Sequence, residues 1–209
     1  MREGLPHVLA RLVLRRVENI EGLENVPTHG PALLVPNHIS YFDPVMLFAT
    51  LFQRVKRSVH FMAFQGHWWF PGAYDLARWS GTQFISGRKP GTILDKFQRL
   101  LAQGELCVVY PEGSRNPHEH LLKAKTGAAR LALWTRVPVI PVGITGPATR
   151  SVVRAWIYFF QKKPFRITFG HALDLTEFHD IPVSYDILRA VTRKMMYAIS
   201  ELCGKRYHF

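Results

Sequence analysis

The chain has 209 residues, of which 47% are hydrophobic and 20% are charged, a composition typical of one globular domain that buries a core. Its formal net charge of +12 excludes an acidic disordered chain. That charge favours an anionic partner, such as nucleic acid, an anionic membrane surface or a phosphorylated substrate. The two cysteines, Cys107 and Cys203, exclude a multi-disulfide scaffold and form no CxxC metal motif.

The first 20 residues have the pattern of a basic amphipathic helix, with apolar residues at helical spacing and arginines largely off that stripe. The stripe and the arginines are Leu5, Val8, Leu9, Leu12, Val13 and Val17, and Arg11, Arg15 and Arg16. Such a helix either packs on its own domain or lies in a membrane interface, and the pattern leaves both open. No apolar run reaches eighteen residues, and Arg154 interrupts the stretch from Val152 to Phe160, so a spanning helix is not expected.

From residue 22 onward, short apolar runs alternate with helix-like windows, and no linker or repeat divides the chain. This alternation predicts a single α/β domain over residues 1–209, with a mostly parallel central sheet flanked by helices. The predicted strands are Ala32–Pro36, Ser58–Ala63, Thr82–Ser86, Glu105–Tyr110, Val137–Ile144 and Phe165–Phe169. The predicted helices are Pro44–Phe52, Trp68–Trp79, Thr92–Ala102, Ala124–Arg136 and a C-terminal helix over residues 184–203.

The positive charge is concentrated in two stretches of the chain. Residues 44–94 contain one acid and six lysines or arginines, and residues 120–173 contain nine lysines or arginines and no acid. We therefore expect a positively charged face or cleft.

A candidate catalytic pair follows the strand Ala32–Pro36, in residues 37–44 (NHISYFDP). Strand ends of open α/β sheets are where sites are built. With His38 in the loop and Asp43 at the start of a helix, the carboxylate can bind one ring nitrogen and leave the other as a general base. In a second interpretation, Asp43 only caps the helix ahead of Pro44, and His38 is a hydrogen-bonded surface group.

A second polar turn, residues 111–115 (PEGSR), follows the predicted strand Glu105–Tyr110. Its backbone amides and the Arg115 guanidinium suit a phosphate or a carboxylate, although an ordinary Glu-Gly turn has the same composition. His118 and His120 lack the spacing of a zinc protease, and no phosphate-binding glycine loop is present. Neither a metal nor a nucleotide cofactor is predicted.

Four segments occur in the order of the four sequence blocks of the glycerolipid acyltransferase family, which the chain resembles. They are residues 38–43 (HISYFD), 81–88 (GTQFISGR), 111–115 (PEGSR) and 137–141 (VPVIP). Lys125 and Gly127 are similar to the family's Lys-x-Gly helix, and the resemblance spans residues 22–175. One departure is that two residues separate Ile85 from Arg88, where the family usually has one.

The resemblance implies an O-acyltransferase that moves a fatty acyl group from acyl-CoA or acyl carrier protein to a lysophospholipid hydroxyl, most simply that of 1-acylglycerol-3-phosphate. It implies that His38 removes the hydroxyl proton and that Asp43 orients His38, with no cofactor beyond the acyl donor. The residues that it implies for the acceptor phosphate are Arg88, Glu112, Gly113, Ser114 and Arg115.

We further predict a peripheral protein on the cytoplasmic face of the cell membrane, in contact with anionic lipid. The predicted docking elements are the apolar stripe of residues 5–17, the aromatic segment Trp68–Gly72 and basic residues. Two alternatives remain open: transfer to another lyso-lipid, and a non-catalytic basic protein that binds anionic lipid or nucleic acid. Nucleic acid is the less favoured partner, because no RRM, KH or helix-turn-helix pattern is recognisable.

Overall fold

The computed structural model describes residues 5–64, 83–85 and 91–209. Within these ranges the helices are α1 (Leu5–Leu14), α2 (Asp43–Thr50), α3 (Gly91–Ala102), α4 (Gly127–Thr135), α5 (Val152–Phe160) and α6 (Tyr185–Cys203). The strands are β1 (Val17–Glu21), β2 (Ala32–Pro36), β3 (Val59–Phe64), β4 (Gln83–Ile85), β5 (Leu106–Val108), β6 (Val139–Thr145) and β7 (Phe165–Phe169). A π-helical turn, Leu51–Val55, extends α2.

The strands form one sheet in the order β1-β7-β6-β2-β5-β3-β4. Neighbouring strands run parallel except β6 and β7, which are antiparallel. The prediction of a mostly parallel α/β sheet flanked by helices is confirmed. The predicted strands Ala32–Pro36 and Phe165–Phe169 match β2 and β7 at both ends.

Strand β2 lies inside the sheet and is buried on both faces. Leu33 and Val35 belong to the core cluster that includes residues of α3, α4 and α6, whereas Ala32 and Leu34 belong to the cluster that includes residues of α2 and α5. Successive side chains of a strand point to opposite faces, so a strand covered on both faces is apolar at every position. This double burial fixes the position of the loop that follows β2.

The predicted N-terminal helix over residues 1–20 is wrong for residues 15–20. Helix α1 ends at Leu14, and the edge strand β1 begins at Val17 and runs parallel to β7. Val17 and Ile20 pack against the core cluster of α2 and α5, and Ile20 lies opposite Ile167 in the sheet. Pairing with the sheet therefore overrides the helical periodicity, as tertiary context often does.

Helix α5 is an addition to the predicted helices. The Ser151 hydroxyl caps it by accepting a hydrogen bond from the backbone N–H of Arg154 at 3.3 Å. The buried side of α5 contacts the core through Ala155, whereas the side chains of Val153 and Phe160 are exposed. Its apolar residues thus face solvent as well as the core, so it lacks the pattern of an ordinary surface helix.

The predicted helix Trp68–Trp79, with the aromatic segment Trp68–Gly72, lies outside the described residues. In the part of the chain that the structure describes, no helix has the length and apolar character needed to cross a membrane.

Gly143 of β6 passes close to the last turn of α6. A Cβ at this position would lie 2.6 Å from the backbone carbonyl carbon of Leu202. Because helix backbone cannot yield cheaply, we expect Gly143→Ala to lower the free energy of unfolding by about 1–3 kcal/mol.

Urea unfolding measures this effect, and Gly127→Ala is its matched control. A Cβ on Gly127 meets only the Leu94 side chain, at 3.7 Å, so this variant should keep or modestly raise the stability. Equal stability of the two variants would contradict the close packing of β6 against α6.

Candidate active site

The candidate site lies at the carboxyl ends of two neighbouring parallel strands. Strand β2 ends at Pro36 and β5 ends at Val108, and the two strands pair directly. The loops that follow them therefore leave the same edge of the sheet, where open α/β folds bind ligands. The first loop leads through His38 to Asp43, and the second contains the turn at residues 111–115.

The structure brings His38 and Asp43 into contact. Nδ1 of His38 lies 2.8 Å from Oδ2 of Asp43. The same oxygen accepts the backbone N–H groups of Ile39 at 2.5 Å and Ser40 at 2.8 Å. The Asp43 side chain is 0% exposed, whereas His38 keeps 12% of its side chain exposed. Because a carboxylate only accepts, Nδ1 carries a proton, and in the neutral ring Nε2 then keeps its lone pair.

This geometry excludes the interpretation of Asp43 as only a helix cap. Asp43 is the first residue of α2, and Phe42, at the cap position, makes no side-chain cap bond. The Asp43 carboxylate binds the loop before the helix through Oδ2, and Oδ1 has no hydrogen-bond partner among the described residues. His38 is not a surface group either, because its ring stacks on Tyr110 with 4.2 Å between the ring centroids.

Tyr110 gives the His38 ring a neutral aromatic neighbour. Burial raises the pKa of Tyr110 well above its usual value of 10.0, and the Asp43 carboxylate adds to that rise. The phenol therefore keeps its proton at neutral pH. Asp43 is then the anion in contact with the imidazole, so it is the group that supports a positive charge on His38.

Glu112 is buried and holds the two loops together. Its Oε1 accepts the backbone N–H of His38 at 3.0 Å. Its Oε2 accepts the side-chain amide of Asn116 at 2.8 Å and the backbone N–H of Leu122 at 2.9 Å. Since protein donors occupy both oxygens, Glu112 positions the His38 backbone, and a carboxylate supplies no donor to a phosphate.

The rest of the turn is formed by Gly113, Ser114 and Arg115. Gly113 has a φ of +68°, and a Cβ there would come within 3.0 Å of the Lys125 side chain, so glycine fits best. Ser114 is exposed. The Arg115 guanidinium carbon lies 3.7 Å from the centroid of the Tyr41 ring, and its buried Nε has no hydrogen-bond partner among the described residues. Such a donor suits an anionic ligand.

Two asparagines that the motif analysis did not assign to the site hold the first loop in place. The Asn37 side chain donates to the Ile144 carbonyl at 2.9 Å and accepts the Ile144 N–H at 2.6 Å, which extends the contact between β2 and β6. The backbone N–H of Asn116 donates to the His38 carbonyl at 2.6 Å. Both asparagines adjoin a motif, and that adjacency is the signal that could have found them.

The C-terminal segment supports the second loop. Nζ of Lys205 donates to the carbonyl oxygens of His118 at 2.7 Å and Asn116 at 3.2 Å. Burial lowers the pKa of Lys205, and the Glu112 carboxylate opposes that shift. No motif contains Lys205, so sequence reasoning had no signal for this contact.

Neither cysteine is suited to act as a nucleophile at the site. Burial raises the pKa of the Cys107 thiol to about 12, and the Glu105 carboxylate adds to the rise. Burial also raises the pKa of the Cys203 thiol. Both thiols keep their protons at neutral pH, and the thiolate is the reactive form.

Arg88 lies outside the described residues. Its contribution to phosphate binding stays a prediction.

The model of the acyltransferase family matches residues 18–145, which include the His38–Asp43 pair and the turn with Arg115. The chain belongs to the acyltransferase family. This finding confirms the family resemblance.

Individual relatives are more narrowly named. Human 1-acyl-sn-glycerol-3-phosphate acyltransferase alpha is 31% identical over 160 residues, which are 74% of this chain and 51% of that protein. The chain thus spans about half the length of that relative. The 1-acyl-sn-glycerol-3-phosphate acyltransferase of Bacillus subtilis (strain 168) is 24% identical over 199 residues, which are 93% of this chain and 92% of that protein.

The fold is also similar to a solved structure. The crystal structure of the 1-acyl-sn-glycerophosphate (LPA) acyltransferase PlsC from Thermotoga maritima superposes with a TM-score of 0.65 at 21% identity. The match covers 94% of this chain and 77% of that one. At this identity the likeness establishes a shared fold.

The hydrogen bonds of Glu112 predict a stability effect. In Glu112→Gln an NH₂ group replaces one of the two carboxylate oxygens. Both oxygens accept N–H donors, so in either orientation of the glutamine amide its NH₂ group faces a donor and loses a hydrogen bond. We expect the free energy of unfolding to fall by about 1–3 kcal/mol, the cost of unsatisfied buried polar groups. Glu119→Gln, on an exposed residue of the same loop, is the control. Chemical unfolding compares the two, and a stability of Glu112→Gln equal to that of the control would contradict the role of Glu112.

Proposed function

We propose that the protein transfers a fatty acyl group from acyl-CoA or acyl carrier protein to the free hydroxyl of 1-acylglycerol-3-phosphate, giving phosphatidic acid. The 2.8 Å contact between Nδ1 of His38 and Oδ2 of Asp43 carries this proposal, because it supplies the general base that the reaction needs. The names of the human and Bacillus relatives support the choice of acceptor.

In the proposed reaction, the acceptor oxygen attacks the thioester carbonyl carbon while its proton passes to Nε2 of His38. The tetrahedral intermediate collapses, the C–S bond breaks, and the thiolate leaves and takes the proton back from His38. Asp43 stabilises the imidazolium between these two steps. The acceptor oxygen is itself the nucleophile, so no acyl-enzyme is required, in keeping with the protonated state of Cys107.

Arg115 is the proposed ligand for the acceptor phosphate. Its guanidinium packs on Tyr41, which lies in the loop between the two members of the catalytic pair, so a phosphate bound there is close to the base. Gly113 and Ser114 shape the turn that presents Arg115, and Arg88 is a second proposed phosphate ligand. A planar guanidinium can bind two phosphate oxygens at once, which fixes the acceptor's orientation.

The proposal includes a peripheral position on the cytoplasmic face of the cell membrane. The acceptor is a lipid, whereas acyl-CoA and acyl carrier protein are water-soluble, so the site must reach both phases. The net charge of +12 supports attraction to anionic head groups.

A direct assay tests the proposal. Purified protein is incubated with 1-acylglycerol-3-phosphate and either acyl-CoA or acyl carrier protein thioester, and phosphatidic acid and released thiol are measured together. One thiol should be released for each phosphatidic acid formed. Other lyso-lipids, supplied in parallel, report on acceptor choice. No product from 1-acylglycerol-3-phosphate with either donor would contradict the proposal.

Substitution of the catalytic pair should reduce turnover without unfolding the protein. General-base assistance is worth about 10²–10⁴ in rate, so His38→Ala should lose turnover on that order. Asp43→Asn should lose a large part of it, because the amide cannot stabilise the imidazolium. Asparagine keeps an acceptor oxygen for the Ile39 and Ser40 amides, so the melting temperature should stay close to that of the wild type.

Asp95→Asn, on an exposed residue of α3, is the matched control for loss of one carboxylate. Turnover and melting temperature are measured for all three variants and the wild type. Near-normal turnover of Asp43→Asn would overturn the catalytic role of the pair.

Arg115→Ala should weaken use of the acceptor and leave use of the acyl donor nearly unchanged. Charged hydrogen bonds are worth roughly 1.5–3 kcal/mol, so we expect the acceptor KM to rise by about 10- to 150-fold. Arg99→Ala, which removes an exposed guanidinium whose Nε donates to the Asp95 carbonyl in the same helix, is the control. Steady-state kinetics in both substrates check this, and an equal rise in the KM of the donor would contradict the assignment.

A further inference from the structure

Helix α5 has an apolar face that is turned to solvent. Val153, Ile157 and Phe160 are 64%, 45% and 70% exposed, and their spacing of four and three residues places them on one side of the helix. Ala155, on the other side, is 2% exposed and belongs to the core. A surface helix of a soluble domain normally has polar residues where α5 has these three.

Positive charge surrounds this apolar face. Arg154 lies within α5, and Lys162 and Lys163 follow its end; all three residues are exposed. Among the described residues, no carboxylate pairs with any of them, and residues 120–173 contain no acid at all. An apolar face flanked by basic residues is complementary to a bilayer with anionic head groups.

The helix is attached to the candidate site. Phe42, next to Asp43, stacks on Phe159 with 4.8 Å between ring centroids and meets the Trp156 ring edge-on at 5.0 Å. In the segment before α5, the Arg150 guanidinium donates to the Arg115 carbonyl oxygen at 2.8 Å. Helix α5 therefore borders the edge of the sheet that holds the catalytic pair.

In helix α1 the structure describes the side chains of residues 10–14, and these expose little apolar surface. Among the members of its predicted stripe whose side chains the structure describes, Val13 and Val17 pack against the core, and only Leu12 is exposed, by 46%. Its end is tied to α5, because Nε of Arg16 donates to the Phe159 carbonyl at 2.9 Å. Among the side chains that the structure describes, those of α5 thus offer more apolar surface to a membrane than those of α1.

We propose that α5 docks the protein on the membrane, with Val153, Ile157 and Phe160 entering the boundary between head groups and acyl chains. Arg154, Lys162 and Lys163 bind the anionic head groups around them. This inference rests on the proposed function, since a lysophospholipid acceptor resides in a bilayer. Docking through α5 places the catalytic edge of the sheet at the lipid surface, where the acceptor can reach His38 without leaving the membrane.

The test uses a triple variant, Val153→Ser, Ile157→Ser and Phe160→Ser. Binding is measured by sedimentation with phosphatidylcholine vesicles, with and without phosphatidylglycerol, at low and high salt. We expect the wild type to prefer the anionic vesicles, with binding that weakens as salt rises, and the variant to bind them about tenfold or more weakly. The control is a second triple variant, Ile181→Ser, Val183→Ser and Tyr185→Ser. It removes three exposed apolar residues at or just before the start of α6, which packs on the face of the sheet opposite to α5.

Turnover on a short-chain acceptor below its critical micelle concentration separates docking from chemistry. Both triple variants should retain wild-type turnover on it, because none of the six residues touches the catalytic pair. If the wild type transfers no acyl group to this acceptor, the proposed function fails, and the vesicle measurements still decide the docking.

Other results would overturn the docking role of α5. They are wild-type protein that ignores anionic vesicles at low salt, a triple variant that binds them like the wild type, or a control that loses as much binding. Light scattering without vesicles measures whether the protein is a monomer or a dimer. A wild-type dimer that the α5 variant converts to a monomer would assign this face to a second copy of the chain.

Discussion

The site depends on the hydrogen bonds that the buried Asp43 carboxylate accepts. One oxygen receives the His38 ring and two backbone amides of the same short loop, so a single charge fixes both the loop and the tautomer of the imidazole. An ionised group without partners is costly to bury, whereas charged hydrogen bonds each contribute about 1.5–3 kcal/mol. The loop after β2 is therefore held in one shape before any substrate binds, which is the preorganisation that general-base catalysis requires.

A second buried carboxylate, that of Glu112, performs a different task. It ties the backbone of His38 to the loop after β5, and the C-terminal Lys205 supports the same loop from the other side. The two acids thus have separate roles because their partners differ. Asp43 binds the imidazole as well as two backbone amides, whereas the donors that Glu112 accepts among the described residues are all amides. The position of Arg115 follows from this arrangement, since Glu112 and Arg115 share one turn.

Much of the fold was predictable because β2 and β7 are short apolar strands with clear ends, and helix α6 is capped by Ser184 at its start and by Gly204 at its end. Strand β1 and helix α5 were not predictable in the same way. Val17 and Ile20 fit a helical stripe as well as a strand, and only pairing with β7 decides between them. The apolar face of α5 points away from the core, so its pattern gives no helix signal of the usual kind.

The site, too, was predictable only in part. The spacing of His38 and Asp43 indicated a contact, but whether the carboxylate turns toward the ring or caps the helix depends on loop geometry that spacing does not contain. Glu112 was expected at the phosphate because it lies in the PEGSR motif. Its inward orientation results from donors at Asn116 and Leu122, which no local pattern connects to it.

The ¹⁵N NMR spectrum of the His38 imidazole tests the central claim, that Asp43 holds His38 as a neutral base with its proton on Nδ1. The signals are assigned by their loss in His38→Gln. We expect the neutral imidazole to have a protonated Nδ1 and an unprotonated Nε2, and a redistribution of the proton between the two nitrogens in Asp43→Asn. A neutral wild-type ring with its proton on Nε2, or a spectrum that Asp43→Asn leaves unchanged, would contradict the role of the Asp43 carboxylate.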